Sequence, residues 1–243
     1  MEAWGLTDPG IVRSQNQDYY DLGELDDGSV LAVVCDGMGG AKAGNIASRL
    51  AVEVFVEEVH RMMDKRLSDD DVEKMLCEAV ALSNSAVYDH SRLSEEYVGM
   101  GTTLVAALLR GKTAFVVNVG DSRAYHLSSG GIRMITVDHS VVEMMVQRGE
   151  ITREEAKNHP VKNLITRAVG TEPFVRCDAF RQQMRTGESV LLCSDGLSNM
   201  LADQEILFEV EHGADRSDCC KRLLQIAESR GAPDNVTVVL VTV

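Results

Sequence analysis

The chain has 243 residues, 44% of them hydrophobic and 26% charged, with a formal net charge of −14 at pH 7. That length suffices for a sizeable core, and no linker-like, low-complexity or repeated tract divides it, so one domain spanning 1–243 is expected. The acidic excess argues against nucleic acid as a general partner, because phosphate backbones need basic patches, and no run approaches the ~20 apolar residues of a membrane span.

Residues 4–20 read as one irregular strand with a turn at Asp8-Pro9-Gly10. An apolar strand over 30–35 follows and leads into the Gly-rich stretch DGMGGAKAG at 36–44. A helix over about 45–63 carries Ile46, Leu50, Val54 and Val59 at near-helical spacing. Ser68 reads as the N-cap of a second helix, with Asp69, Asp70 and Asp71 where negative charge meets the helix dipole. Its buried stripe is Val72, Met75, Leu76, Ala79, Val80, Ala86 and Val87. Strands at 102–109 and 114–119 follow, then a hairpin over 125–135 around Ser129-Gly130-Gly131. From 138 to about 170 the apolar period weakens, so this stretch reads as a surface insertion with short helices at 140–147 and after Thr152, where TREE has capping-box spacing. A strand at 189–193, a short helix after Asp203, a longer helix over 217–230 and a final strand at 236–243 complete the chain. Hairpin-joined strands with helices grouped apart indicate an α+β fold.

The N-terminal MEAWGLTDPG has neither the basic nor the apolar region of a signal peptide. Cys35 and Cys193 fall in strands, Cys77 in a helix, and Cys219 and Cys220 are adjacent, with no CxxC pair. Reduced thiols in a cytoplasmic protein are the expectation.

Four apolar runs begin or end at an aspartate: VLAVVCDG at 30–37, AFVVNVGD at 114–121, SVLLCSDG at 189–196 and DNVTVVLV at 234–241. A carboxylate at the lip of a buried strand is costly unless a positive group meets it. If the last strand runs antiparallel to its neighbours, Asp36, Asp121, Asp195 and Asp234 gather at one end of a sheet. Crowded carboxylates raise one another's proton affinity unless a cation neutralises them. Oxygen-only clusters suit Mg²⁺, Mn²⁺ or Ca²⁺ rather than zinc.

Taken in order, TDPGIVRSQNQD (7–18), VCDGMGG (34–40), GTT (101–103), VGDSRAY (119–125), DHS (138–140), CSDGLSN (193–199) and DNVTVV (234–239) resemble the metal-dependent PP2C-type (PPM) protein serine/threonine phosphatases, especially compact bacterial members. The likeness covers essentially the whole chain. It implies a four-layer αββα sandwich, two antiparallel sheets flanked by helices, with the 138–170 stretch as a flap beside the active site. It also implies two Mn²⁺ or Mg²⁺ ions and hydrolysis of phosphoserine and phosphothreonine by a water held between them, with no covalent phosphoenzyme. Asp36 would bridge the two ions, and the Gly37 carbonyl would ligate one. Asp195 and Asp234 would hold the second, joined by Asp18 directly or through water. Asp121, with Asp195, would hold a third, weaker ion. Arg13 would bind the phosphate, and Asn235 would orient Asp234. Phosphorylated proteins are the implied partners, with a serine/threonine kinase as counterpart, and the protein is expected to be a monomer.

Each assignment has a plainer alternative. Asp36 and Asp195 are also Asp-Gly turns; Asp234 is also a loop residue, Asp18 a solvated one, Asp121 a partner for Arg123, and Arg13 a surface ion-pair former. Gln17 stands where some family members carry Glu. Met38 and Ala41, with Lys42 beside them, stand where a general-acid His is often found, and His126, His139 and His159 lack ligand spacing. No serine-nucleophile elbow, cysteine phosphate loop or P-loop occurs. A non-catalytic PP2C-like binding module and a small-molecule phosphohydrolase are the competing readings.

Overall fold

The structure, a computed structural model, describes residues 1–213 and 215–243, with residues 40–42 described by their backbone alone. Eleven strands form two antiparallel sheets among the described residues. The first sheet contains β1 (Glu2–Asp8), β7 (Arg123–Ser128), β8 (Gly131–Met134), β10 (Ser189–Cys193) and β11 (Val236–Thr242), ordered β1-β11-β10-β7-β8. The second contains β2 (Asp18–Glu24), β3 (Val30–Met38), β5 (Leu104–Arg110), β6 (Thr113–Val119) and β9 (Asp178–Gln183), in that order, with the short β4 (Gly101–Thr102) pairing the end of β3.

The core strands are continuous apolar runs because both of their faces are covered. Along β3, Val30, Ala32 and Val34 join Val105, Val190, Leu192, Val239 and Val241 in the layer between the sheets. Leu31, Val33 and Cys35 face the other way, against Ala47, Phe55, Val72 and Leu76 of α1 (Gly40–Met62) and α2 (Asp69–Ser91). The outer face of the first sheet packs Tyr125, Leu191 and Leu240 against α5 (Asp195–Ser198), α6 (Asp203–His212) and α7 (Cys219–Ser229). The result is the expected αββα arrangement. Burying a Leu or Phe side chain stabilises by roughly 1.5–3 kcal/mol, so burial in these three layers holds the sheets and helices together.

Several local expectations hold. Ser68 caps α2 by accepting from the Asp71 N–H, and the Thr152–Glu155 capping box opens α4 (Arg153–Lys157). Ser140 caps α3 (Val141–Gln147) through the Glu143 N–H. No helix among the described residues is long and apolar enough to cross a membrane.

Other expectations need correction. Residues 4–20 are not one strand: β1 and β2 lie in different sheets, separated by a loop at 9–17. The strand expected at 102–109 breaks at Thr103, whose hydroxyl accepts from the Asp36 N–H at 2.9 Å. The Gly-rich stretch is not a turn from Asp36 onward: β3 continues to Met38 because β4 pairs with it, and α1 already begins at Gly40. Strand β9 gave no apolar run to read, since DAFRQQ alternates exposed and half-buried positions at a sheet edge. The single turn of α5 is too short to show a period.

Candidate metal centre

Sheet register assembles the site. Strand β11 runs antiparallel to both β1 and β10. Hence the exits of β3, β6 and β10 and the entry of β11 share one end of the sandwich. Asp18 lies directly opposite Asp36 in the β2–β3 ladder. Both continue the even-numbered positions whose apolar members, Tyr20, Leu22, Val30, Ala32 and Val34, fill the inter-sheet layer. The layer between the sheets therefore ends in carboxylates.

An open cleft of about 570 Å³ lies at this end, lined by Arg13, Gln17, Asp36, Gly37, Met38, Thr103, Asp121, Asn163, Ile165, Asp195 and Asp234, among others. Ala41 and Lys42, noted where a histidine is often found, lie outside the residues whose side chains are described. Met38 lines the cleft and carries no transferable proton.

The backbone of Asp36 is pinned on both sides. Its N–H donates to Thr103 Oγ1 at 2.9 Å, and its carbonyl accepts from the Thr103 N–H and Thr102 Oγ1, each at 2.9 Å. Thr103 Oγ1 is itself 2.7 Å from Ser122 Oγ. Gly37 has no room for a side chain: a Cβ there would sit 2.0 Å from the Gly44 carbonyl oxygen. Glycine is required at so close a backbone approach. Gly196 is equally constrained, since its Cβ would meet the Asn235 carbonyl at 1.9 Å. That contact seats α5, with Asp195 in its first turn, beside the chain that carries Asp234.

Asp18 is only 5% exposed, so it is not a solvated residue. Its Oδ2 accepts from Thr237 Oγ1 at 2.6 Å and Ser194 Oγ at 2.7 Å. Its Oδ1 is buried and has no hydrogen-bond donor among the described residues, and the same holds for Asp195 Oδ1. Asp195 Oδ2 accepts from Asn199 Nδ2 at 3.0 Å. Buried oxygens without a donor cost of order 1–3 kcal/mol each, and two of them facing one carboxylate cluster call for a cation.

The acid–base balance agrees. Burial first, then repulsion from Asp195 and Asp234, outweighs the Thr237 and Ser194 hydrogen bonds and pushes Asp18 up to about 7. Burial and the charge of Asp195 and Asp138 push Asp121 up to about 7. Asp36 rises well above the usual carboxylate range, through burial and then repulsion by Asp18, Asp195, Asp121 and Asp234. Asp195 rises through burial and Asp234. Four carboxylates that resist ionising together are stabilised by a multivalent cation.

Among the described residues no group of three acidic, histidine or cysteine side chains is arranged to hold a metal ion; a hard cation such as Mg²⁺ takes only one or two carboxylates from a protein and keeps several waters. The donor set is all oxygen and fits Mg²⁺ or Mn²⁺.

Asp121 is not paired with Arg123. That guanidinium instead grips Asp138, with Nη2–Oδ2 at 2.6 Å and Nε–Oδ1 at 3.0 Å. Arg13 is exposed, and its Nη2 donates to Asp234 Oδ2 at 2.8 Å. Asn235 reaches Asp234 through its backbone N–H, at 2.9 Å from Oδ1. Its side chain instead holds the 9–17 loop: Oδ1 accepts from the Gln17 N–H at 2.8 Å, and Nδ2 donates to the Pro9 and Gln15 carbonyls at 2.9 Å. The residue expected to orient Asp234 thus also fixes the loop that bears Arg13. His139 is buried, with Nδ1 accepting from the Gly120 N–H at 3.0 Å; it does not line the cleft.

Sequence reasoning missed the supporting hydroxyls of Thr237, Thr103, Ser194 and Ser122. The one available signal was a threonine inside an otherwise apolar strand (Thr237) and small polar residues flanking the Asp motifs.

Comparison with known proteins places this geometry. The protein phosphatase 2C family model matches residues 12–239. The chain belongs to the protein phosphatase 2C family. It is 36% identical over 241 residues to the serine/threonine phosphatase stp of Listeria monocytogenes, covering 99% of this chain and 95% of that protein. The Streptococcus agalactiae serine/threonine phosphatase superposes with a TM-score of 0.93 at 34% identity, covering 100% of this chain and 99% of the other. The catalytic domain of the serine/threonine protein phosphatase PstP in complex with two manganese ions gives a TM-score of 0.84 at 34% identity, covering 98% and 96%.

Proposed function

We propose that this chain is a metal-dependent phosphatase that hydrolyses phosphoserine and phosphothreonine in proteins, with two divalent ions, Mn²⁺ or Mg²⁺, in the carboxylate cleft. The observation that carries the reading is the pair of buried oxygens, Asp18 Oδ1 and Asp195 Oδ1, that find no donor among the described residues and lie among carboxylates that cannot all ionise unaided. Asp36, with the Gly37 carbonyl, Asp18, Asp195 and Asp234 would hold the two ions, and Asp121 with Asp195 would hold a third, weaker one. When bound, such ions polarise phosphoryl oxygens and acidify water, so direct hydrolysis proceeds without a protein nucleophile.

The chain's own residues position the substrate. Arg13 offers a planar, bidentate donor to the phosphoryl group. It is held over the cleft by Asp234, and its loop is tied down by Asn235. Stabilisation of the equatorial oxygens, where charge collects, is the main demand of phosphoryl transfer. No histidine is among the described residues lining the cleft, so no imidazole there is assigned the proton of the leaving oxygen. The chain acts as one domain. Residues 138–170 form the flap, contributing Asn163 and Ile165 to the cleft wall, and loops beside a rigid site commonly set substrate choice. In this reading the protein works as a cytoplasmic monomer opposite a serine/threonine kinase.

A panel of phosphopeptides and phosphorylated metabolites, assayed with Mn²⁺ and with EDTA, tests the proposal. Phosphoserine and phosphothreonine peptides are expected to give the highest kcat/KM, and only with metal. A metabolite outperforming every peptide, or turnover that survives EDTA, overturns it.

A further inference from the structure

Two half-buried cysteines meet away from this machinery. Cys77 lies midway along α2, and Cys177 immediately precedes β9; neither lines the carboxylate cleft. Their neighbours are clamped together. Arg181 of β9 donates to Glu73 Oε1 at 2.7 Å and to Asp70 Oδ1 at 2.8 Å, both on α2. Glu73 and Cys77 are one helical turn apart on the same face. Cys177 and Arg181, four residues apart, lie on the same side of an extended chain. Both cysteines pack against the core beneath α1 and α2. The Cys177 thiol donates to the Asp178 carbonyl at 3.6 Å. Further along α2, Asn84 Nδ2 donates to the Glu172 carbonyl at 3.0 Å, so α2 runs antiparallel to residues 172–181 and Cys77 comes level with Cys177.

The neighbouring Cys177 thiol holds Cys77 below the usual thiol range, whereas burial pushes Cys193 and Cys220 up to about 12, Cys219 up to about 11, and Cys35 well above its ordinary value. The thiolate is the reactive form.

We propose that Cys77 and Cys177 form an oxidation site that closes to an intramolecular disulfide when a hydroperoxide reaches it. The Cys77 thiolate attacks the peroxide; an S–O bond forms, the O–O bond breaks, and hydroxide leaves to be protonated to water. The Cys177 sulfur then attacks the Cys77 sulfenic acid; the S–S bond forms, the S–O bond breaks, and the oxygen departs as water with the Cys177 proton. Two thiols lose two electrons, and hydrogen peroxide becomes two waters. Such a disulfide is a transient, sensing bond rather than a structural one.

The site adjoins the base of the 138–170 segment. Asp178, next to Cys177, pairs through Oδ2 with His139 Nε2 at 3.1 Å and accepts at Oδ1 from Arg167 Nη1 at 2.8 Å. One carboxylate thus anchors both ends of that segment, and the disulfide fastens its carrier to α2.

The test is hydrogen peroxide titration of the whole protein in EDTA, with thiol counting and peptide mapping without reductant. Two of the six thiols are expected to disappear, a peptide linking Cys77 to Cys177 to appear, and dithiothreitol to reverse both. Cys77→Ser should abolish the thiol loss. Cys177→Ser should leave a dimedone-reactive sulfenic acid at Cys77. Retention of all six thiols, linkage of any other pair, or crosslinks between chains overturns the proposal, and the wild-type map alone decides it if a variant fails to fold.

Discussion

The carboxylates of the cleft and those of the surface are the same functional group in opposite states. At the mouth of the sandwich, Asp18 and Asp121 are pushed up to about 7, by burial first and by like charge next. On the surface, Glu205 is drawn down to about 2 by hydrogen bonds from the Arg230 side chain and the Ala202 backbone N–H. Each surface carboxylate of this kind has its own donor. In the cleft, Asp234 meets the Arg13 guanidinium, but Asp18, Asp36, Asp121 and Asp195 have no ion-pair partner among the described residues and rely on hydroxyl and amide donors. Arg123, the nearest spare guanidinium in sequence, is committed to Asp138 instead. Acids crowded this closely with a single guanidinium at their rim create a demand for a cation from outside. Substitutions at the two places therefore have opposite signatures.

The largest effect is expected from Asp36→Asn. Metal-dependent hydrolysis of p-nitrophenyl phosphate should fall at least 10²–10³-fold, the scale of losing one transition-state-stabilising group. In EDTA the same variant should melt higher than the wild type, because a buried carboxyl that burial and like charge hinder from ionising has been replaced by a neutral amide. Near-normal turnover, or a lower melting point in EDTA, breaks the contrast between cleft and surface.

Arg13→Ala comes next. Losing a charged hydrogen bond costs about 1.5–3 kcal/mol, so kcat/KM for phosphopeptides should drop about 10–150-fold. Steady-state kinetics checks this, and Arg13→Lys should recover only part, since an ammonium cannot bind phosphate bidentately.

The pH dependence of the metal-free protein follows. A carboxylate raised to about 7 in the folded state binds more protons folded than unfolded between roughly pH 4 and 7. Stability therefore falls as pH rises through that window and levels off above it. A net loss of ~2 kcal/mol lowers Tm by about 4–8 °C in a chain of this size. Scanning calorimetry in EDTA at pH 5 and pH 8 measures it. Mn²⁺ at pH 8 should recover the loss, and a Tm that rises with pH would contradict the assigned carboxylates.

Asp121→Ala sharpens the picture within the cleft. Isothermal titration should still find two strong Mn²⁺ sites and lose only a weak third. The smallest effect belongs to Glu205→Gln. Its ion pair with Arg230 is about two-fifths exposed on both sides, and such pairs contribute little. Activity should be unchanged, and the Tm shift should be smaller than at any cleft position.

Much of this was legible in the chain. Ser68 and the Thr152–Glu155 pair marked helix starts because a cap is a bond between near neighbours. Asp36, Asp121, Asp195 and Asp234 were conspicuous because an apolar run that ends in a charge needs an explanation. Strand β9 was not legible, since an edge strand needs apolar residues on one face only, and β2 was fused with β1 because nothing local says that the loop at 9–17 changes sheets.

Periodicity and end-residues, which depend on short-range sterics and burial, settled the helices, the core strands and which acids sit at strand ends. The company those acids keep was decided only by sheet register and by the meeting of two sheets. Asp18 rests between Ser194 and Thr237, 176 and 219 residues away, and Arg13 finds Asp234 across 221. Contacts of that span arise from non-local pairing, which leaves no period in the sequence to read.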